Sequence, residues 1–288
     1  MFHELQIFEN PEAILLVASI IFFFSIIAGK AGFRFGLPAL LLFLGVGMLF
    51  GSDGLGIQFS NPSAAQFIGM LALSIILFSG GMDTKMSEIK PIATEGVVLA
   101  TVGVLLTTLI TGGFIYYVFL WSTGYETLTV AESMLMAAVM SSTDSASVFS
   151  ILRSKGVYLK QRLRPTLELE SGSNDPMAYM LTLLIIAYIQ VGGMNLQEAV
   201  LQLLVQLSVG AIAGFLLGKL AVLMINKINM DNESLYPILL LTTAFFTFSA
   251  TTLCKGNGYL AVYIAGLVVG NAKIVHKKSM GTFFDGFA

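Results

Sequence analysis

Residues 141–145 read Ser-Ser-Thr-Asp-Ser and residues 170–176 read Glu-Ser-Gly-Ser-Asn-Asp-Pro, and both stretches lie inside long apolar runs. A carboxylate at membrane depth costs about 2.5–3.5 kcal/mol on insertion scales, so it is seldom present without a function. Two such stretches close together in the chain predict one buried polar site. A site of this kind is typical of proteins that move an ion or a proton across a membrane.

The composition indicates a membrane protein. Of the 288 residues, 56% are hydrophobic and 11% are charged, whereas a soluble domain averages about 25% charged residues. The net charge of -2 gives no reason to expect nucleic acid as a partner, and the single Cys254 excludes an intrachain disulfide framework and a multi-cysteine metal site. There is no nucleotide-phosphate loop, and we predict no cofactor and no enzymatic activity.

A helix needs about 20 mostly apolar residues to cross a bilayer. By this measure the sequence predicts an all-α, polytopic membrane protein with about nine transmembrane helices and the start of a tenth near Gly281. Because the chain stops at Ala288 without a polar tail, we expect it to be a C-terminally truncated fragment. The nine predicted spans are roughly 13–29, 37–52, 63–81, 92–121, 130–151, 167–191, 198–226, 235–254 and 258–272.

The basic residues predict the orientation of the chain. Of the 15 Lys and Arg, all except Lys255 fall in or next to the same set of alternate loops. Short loops rich in Lys and Arg face the cytoplasm. This pattern predicts a multi-pass protein of a bacterial cytoplasmic membrane with its N-terminus outside.

Small residues recur every four positions in three of the predicted spans. Such spacing lets two helix backbones approach closely in lipid, where the hydrophobic effect does not drive helices together. We expect a helix contact above all at the glycine triple of the seventh span. The recurring positions are Gly47 and Gly51, then Gly210, Gly214 and Gly218, then Gly266 and Gly270.

The polar run in the fifth span predicts an interrupted helix. Irregular backbone at this depth persists only where protein or a water-filled cavity satisfies it, and the freed carbonyls can bind a cation. Asp144 can balance the charge of a helix end. The alternative is a continuous helix in which the hydroxyls bond back to carbonyls one turn earlier.

The sixth span predicts the ion-carrying group. Ser171 and Asp175 are four residues apart and share a helix face, whereas the spacing directs Asn174 elsewhere, toward a neighbouring helix. Asp175 lies about 15 Å of helical rise beyond the start of the span, near mid-bilayer. Burial favours its neutral form and a bound cation favours its ionised form, so it can exchange a proton for a cation. The alternative is a structural Asp held by its neighbours; for Glu170 both interpretations stay open.

These stretches resemble the monovalent cation/proton antiporters, in the NhaP branch, and most of all its potassium/proton members. The resemblance depends on Ser142-Thr143-Asp144 and on Glu170-Ser171 followed by Asn174-Asp175. Residues 77–83 and 265–271 look like two further stretches of the family. The resemblance covers nearly the whole chain in the expected order and spacing.

The resemblance implies an inverted-repeat fold of about thirteen helices that works by alternating access as a homodimer in the lipid membrane. It implies that residues 1–91 belong to a dimerisation domain, 92–191 to the ion-binding core, and 192–288 to a linking helix and an incomplete second repeat. The substrates would be K⁺ or Na⁺ and H⁺, exchanged electroneutrally for pH and cation homeostasis.

The resemblance also implies a role for each polar residue. Asp175 would carry the proton or the cation in turn, with Ser171 and Thr143 as further oxygen ligands of the alkali cation. Glu170 would sit beside the site or tune it. Asn174 and Asp144 would support the core network, Asn174 by shaping it and Asp144 by balancing helix-end dipoles.

Two departures from the family pattern bear on these expectations. Ser145 stands where many relatives have a proline, so the position of the helix break stays open. The second broken helix and a later basic residue are missing, so we expect that residues 1–288 cannot transport alone.

Three alternatives come from other classes of protein. An intramembrane aspartyl protease would use Asp144 and Asp175, but the residues around them do not match such enzymes. A passive cation channel would need a filter loop or a symmetric ring, and a carrier for an organic anion would need a base within a span. The sequence shows none of these features.

Overall fold

The computed structural model describes residues 11–35, 39–52, 54–57, 59, 61–123, 128–144, 159–160, 162–193, 195–228 and 230–286. The predictions made for residues 145–151 of the fifth span, including Ser145, lie outside this part of the chain.

The described residues contain helices and connecting turns and no strand, which confirms the all-α class. The helices in chain order are α1 (Pro11–Phe35), α2 (Ala39–Phe50), α3 (Pro62–Asp83), α4 (Met86–Ile89), α5 (Ala93–Val98), α6 (Val104–Thr123), α7 (Val130–Val139), α8 (Leu163–Val191), α9 (Leu196–Lys227), α10 (Leu235–Leu253), α11 (Gly258–Gly270) and α12 (Lys277–Asp285).

Each of the nine predicted spans overlaps one of these helices, except the span predicted at 92–121, which overlaps both α5 and α6. Five stretches in the described part of the chain are long and apolar enough to cross a membrane: Glu12–Lys30, Pro62–Asp83, Met86–Ser122, Gln197–Lys227 and Leu235–Leu253. Shorter apolar helices lie at Leu40–Phe50, Val130–Val139 and Gly258–Gly270. The protein is therefore a multi-pass membrane protein, while nine remains the predicted number of crossings.

The helix at 86–123 changes its winding twice. A 3₁₀ turn at Lys90–Ile92 follows α4, where Pro91 cannot supply a backbone donor. A π-helical turn at Leu99–Gly103 then leads into α6. Just before this turn, Gly96 lies against the side chain of Leu169 on α8, so close that an added Cβ would come within 2.4 Å. Helix α8 thus packs closely on α5 at a position that has no side chain.

The chain forms two compact units. One comprises residues 1–67 and 144–159, and the other comprises residues 68–143 and 160–288. In the first unit α1 packs on α2, with the rings of Phe24 and Phe50 5.8 Å apart. The second unit contains the larger core.

Helix α11 packs closely against α9 and α3, and glycines lie at the points of closest approach. An added Cβ at Gly214 of α9 would lie 2.4 Å from the carbonyl oxygen of Ala261, and one at Gly266 would lie 2.3 Å from the carbonyl oxygen of Phe78 on α3. Gly210, Gly218 and Gly270 make similar backbone approaches. The predicted helix contacts are confirmed for the seventh and ninth spans. At Gly47 no described atom lies within 4 Å of an added Cβ, so that position gives no such contact.

The larger apolar core of the second unit surrounds α11. Phe78, Leu240, Val262 and Phe284 in this core are at most 1% exposed. A second cluster joins α6, α7 and α8 through Val104, Ala138, Met177, Met180 and Leu181. This cluster buries the middle of α8, at residues 177–181, and the polar residues 170–175 just before it meet residues 142–143.

Candidate ion site

The fifth predicted span stops being helical where its polar run begins. Helix α7 starts with a capping box, in which Thr129 and Glu132 bond to each other's backbone, and it ends at Val139. Ser141 then turns back, and its hydroxyl donates to the carbonyl of Ala138 at 2.7 Å. Residues 141–144 are not helical. The helix therefore ends where the polar run begins, as predicted, and the continuous-helix alternative is wrong for residues 141–144; the rest of the predicted fifth span lies outside the described residues.

Helix α8 presents its polar residues to this irregular segment. Glu170, Ser171, Asn174 and Asp175 follow one another at helical spacing, so they form one stripe along the helix. Asn174 is completely buried, and the other three are partly buried. The stripe therefore contains two carboxylates that are only partly screened by protein.

Thr143 lies at the centre of the contacts with Glu170. Its hydroxyl donates to both carboxylate oxygens of Glu170 at 3.0 Å. The amide nitrogen of Asn174 donates to the Thr143 hydroxyl at 2.6 Å and to Oε1 of Glu170 at 3.0 Å. Each of the three side chains is thus hydrogen-bonded to the other two.

The backbone of Thr143 is held as well. The hydroxyl of Ser171 donates to the Thr143 carbonyl oxygen at 2.9 Å. A carbonyl outside a helix has lost its regular partner, and at membrane depth such a group must be satisfied by protein, water or an ion. Ser171 supplies that partner here.

Ser142 reaches the predicted ion carrier. Its hydroxyl donates a hydrogen bond to Oδ1 of Asp175, and it lies 3.4 Å from Oδ1 of Asn174. The sequence indicated Thr143 and Ser171 as the oxygen partners of Asp175 and did not include Ser142. Its place in the polar run and in the stretch Ser142-Thr143-Asp144 was the available signal. Neither shows which side chain faces a given helix, because an irregular segment has no period.

The structure brings five of the predicted residues into one network: Thr143, Glu170, Ser171, Asn174 and Asp175. Helical spacing predicted that Asn174 points away from the face of Ser171 and Asp175, but it meets the same segment as they do, through Ser142 and Thr143. Asn174 is four residues after Glu170, so those two share a helix face. The segment 142–143 contacts this face through Thr143 and contacts Asp175 through Ser142. Asp144 is exposed and belongs to the first unit, and its supporting role stays a prediction.

The chemistry of the cluster is that of a hard-cation site. Its donors are carboxylate, hydroxyl and carbonyl oxygens, which suit alkali cations better than soft metals. Within the described residues there is no group of three or more His, Cys, Asp and Glu side chains placed to hold a metal ion. Glu168 pairs with Arg164 at 2.8 Å, so it has a cation partner outside the cluster.

The chain is similar in sequence and in structure to known proteins. Residues 12–288 match the family model described as the transmembrane sodium/hydrogen exchanger. The K(+)/H(+) antiporter NhaP of Alkalimonas amylolytica is 38% identical over 281 residues, which are 97% of this chain and 48% of that protein. The K(+)/H(+) antiporter NhaP2 of Shewanella sp. (strain ANA-3) is 35% identical over 281 residues, 96% of this chain and 47% of that protein.

A solved structure has the same fold. The sodium proton antiporter MjNhaP1 from Methanocaldococcus jannaschii, at pH 8, superposes with a TM-score of 0.77 at 23% identity, over 95% of this chain and 66% of that one. The chain therefore spans about half the length of the two antiporter sequences and two thirds of the solved structure.

Proposed function

Because the chain belongs to the transmembrane sodium/hydrogen exchanger family, we propose that it carries the ion site of a secondary antiporter. This antiporter exchanges K⁺ or Na⁺ for H⁺ across a bacterial cytoplasmic membrane. The observation that carries the proposal is the pairing of Asp175, on a helix, with Ser142, on a non-helical segment. A transporter family of this kind gives no support to the protease and channel alternatives.

Asp175 is the group that alternates between proton and cation. Asp175 is partly buried and its carboxylate accepts a hydrogen bond from a hydroxyl, so it is partly shielded from bulk water. A proton and a cation compete for the same oxygens, so only one of them binds at a time. Ser171 and Thr143 supply further oxygens for the cation, and Glu170 lies next to them through Thr143.

Asn174 holds the network together, because its amide bridges Thr143 and Glu170 while fully buried. Asn174 is uncharged, so the adjacent pair Asn174 and Asp175 carries a single carboxylate, which supports an electroneutral exchange of one proton for one cation. Asp144 balances the charge of helix ends near the break in the fifth span.

The larger assembly follows the family's architecture. Residues 92–191 act as the ion-binding core, residues 1–91 contribute to a dimerisation domain, and residues 192–288 form the link and part of a second repeat. The protein works as a homodimer with its N-terminus outside, and the core moves against the dimerisation domain so that the site opens to each side in turn. The two K(+)/H(+) antiporters favour K⁺ as the physiological cation.

The decisive experiment measures cation-induced recovery of a quenched pH dye in everted membrane vesicles. The protein expressed from its complete gene is compared with Asp175→Asn, using K⁺, Na⁺ and Li⁺. We expect exchange with the wild type and none with Asp175→Asn. Asp231→Asn is the matched control, because Asp231 is exposed between α9 and α10. Exchange retained by Asp175→Asn would overturn the site assignment, and flux that ignores the pH gradient would overturn antiport.

A further inference from the structure

Asn257 stands at a junction of three helices in the second unit. It is the residue immediately before α11, and only 4% of its surface is exposed. Its neighbours across the junction are α9 and α8. The residue is 81 positions beyond Pro176, and no sequence motif connects the two.

The polar groups of Asn257 bond to all three helices. Its side-chain oxygen accepts from the backbone N–H of Leu260 at 3.0 Å and so caps α11. Its backbone N–H donates to the carbonyl of Gln206 on α9 at 3.0 Å. Its side-chain nitrogen donates to the carbonyl of Pro176 on α8 at 3.0 Å, in a buried setting. Gly210 of α9 makes this approach possible, since an added Cβ there would lie 2.8 Å from the Asn257 carbonyl oxygen.

The hydrogen bond from Asn257 to the Pro176 carbonyl lies at the point in α8 where a backbone hydrogen bond of the helix is missing. Pro176 has no N–H, so the carbonyl of Gly172 loses its regular helical partner, and the turn that contains Asp175 is loosened. Before the proline, this turn is tied to residues 142–143 through Ser171, Asn174 and Asp175. At the proline itself, the interhelical bond comes from Asn257.

We propose that Asn257 is a positioning residue for Asp175. By fastening the carbonyl of Pro176 to the glycine-packed pair α9 and α11, it fixes the position of the loosened turn, so that the Asp175 carboxylate stays opposite Ser142. This inference rests on the proposed function, because it assigns Asn257 to the same ion-exchanging site.

Capping can be separated from positioning by substitution. Ser and Asp cap helices about as well as Asn, but a Ser side chain is too short to reach Pro176, and a carboxylate offers an acceptor in place of the donor. Asn257→Ser and Asn257→Asp therefore keep the cap and remove the bond to α8. Asn195 provides the matched control, because it is exposed and caps α9 through Gln197, which is the only side-chain hydrogen bond it makes with described residues. Asn195→Ser should keep the cap of α9 and should leave the position of Asp175 unchanged.

The experiment uses the vesicle assay on the protein expressed from its complete gene, with K⁺ titrated and rates normalised to folded protein. We expect Asn257→Ser to raise the half-saturating K⁺ concentration about fivefold, as the loss of one buried hydrogen bond would, and Asn257→Asp to raise it at least as much. Asn195→Ser should match the wild type.

Several results would overturn the inference. One is a half-saturating K⁺ concentration in both Asn257 variants that equals the wild-type value. Another is a loss confined to the amount of folded protein, since Asn257 would then be a structural cap alone. The failure of the proposed function looks different: in that case the wild type itself shows no cation-dependent proton movement.

Discussion

The hydroxyl of Ser142 donates a hydrogen bond to Oδ1 of Asp175, although the two residues are 33 positions apart. The contact exists because α7 ends at Val139 and the following residues leave the helical path. It joins an irregular segment to the carboxylate that we propose as the ion carrier. Substitutions of Ser142 and of Asp175 can therefore test the contact separately.

Ser142→Ala should weaken cation binding. The substitution removes an oxygen beside Asp175 and a donor to its carboxylate, and the loss of one such bond corresponds to about a fivefold rise in the half-saturating cation concentration. Ser141→Ala is the matched control, because within the described part of the chain the Ser141 hydroxyl bonds only to the carbonyl of Ala138, one turn earlier. Dye-based exchange in vesicles measures both. Equal effects of the two substitutions would argue against a role for Ser142 at the site.

Thr143→Val should impair exchange more than Thr143→Ser. Valine keeps the shape but removes the hydroxyl that donates to Glu170 and accepts from Asn174, so only the bond between Asn174 and Glu170 remains of the three. We expect about a tenfold loss of apparent cation affinity for Val, since two hydrogen bonds are lost, and near-normal exchange for Ser. If Thr143→Val behaves like Thr143→Ser, the hydroxyl has no part in the site.

Gly214→Ala should destabilise the second unit. An added Cβ would come within 2.4 Å of the backbone oxygen of Ala261, and overpacking of this kind costs about 1–3 kcal/mol. Gly113→Ala is the control, because an added Cβ there meets no described atom within 4 Å, and alanine favours the helix. Thermal unfolding of detergent-purified protein should show a lower midpoint for the first variant only. An unchanged midpoint for Gly214→Ala would mean that α9 and α11 separate easily.

Thr247→Val should stabilise the protein. The Thr247 hydroxyl is buried and has no hydrogen-bond partner among the described residues, so its replacement by a methyl group of similar size removes a desolvation cost of about 1 kcal/mol. Thr243→Val serves for comparison, because that hydroxyl donates to the carbonyl of Leu239 at 2.8 Å. A rise in the unfolding midpoint for Thr247→Val but not for Thr243→Val is the expected pattern. A fall for Thr247→Val would indicate a partner such as a bound water.

The positions of the helices could be predicted because the signals are local. Runs of mostly apolar residues, about 20 long for a full crossing, mark the spans in the sequence. The glycine spacing of the seventh and ninth spans predicted the close contacts between α11 and its neighbours. The interruption after Val139 was also predictable, since a charge and several hydroxyls in a row are incompatible with an ordinary lipid-embedded helix.

The direction of individual side chains was harder to predict. Helical spacing placed Ser171 and Asp175 on one face, but it sent Asn174 away from the site, and the structure places it in the network. The spacing gives the angle of a side chain about its own helix and contains no information about where a neighbouring irregular segment runs.

The sequence by itself therefore determined that this is an all-helical membrane protein with one interrupted polar crossing, and it identified the carboxylates and hydroxyls available there. Only the tertiary structure decided that Ser142 faces Asp175, that Asn174 bridges Thr143 and Glu170, and that Asn257 holds Pro176. Hydropathy and periodicity are properties of neighbouring residues in one chain segment, whereas these three contacts join residues that are brought together by the packing of separate helices.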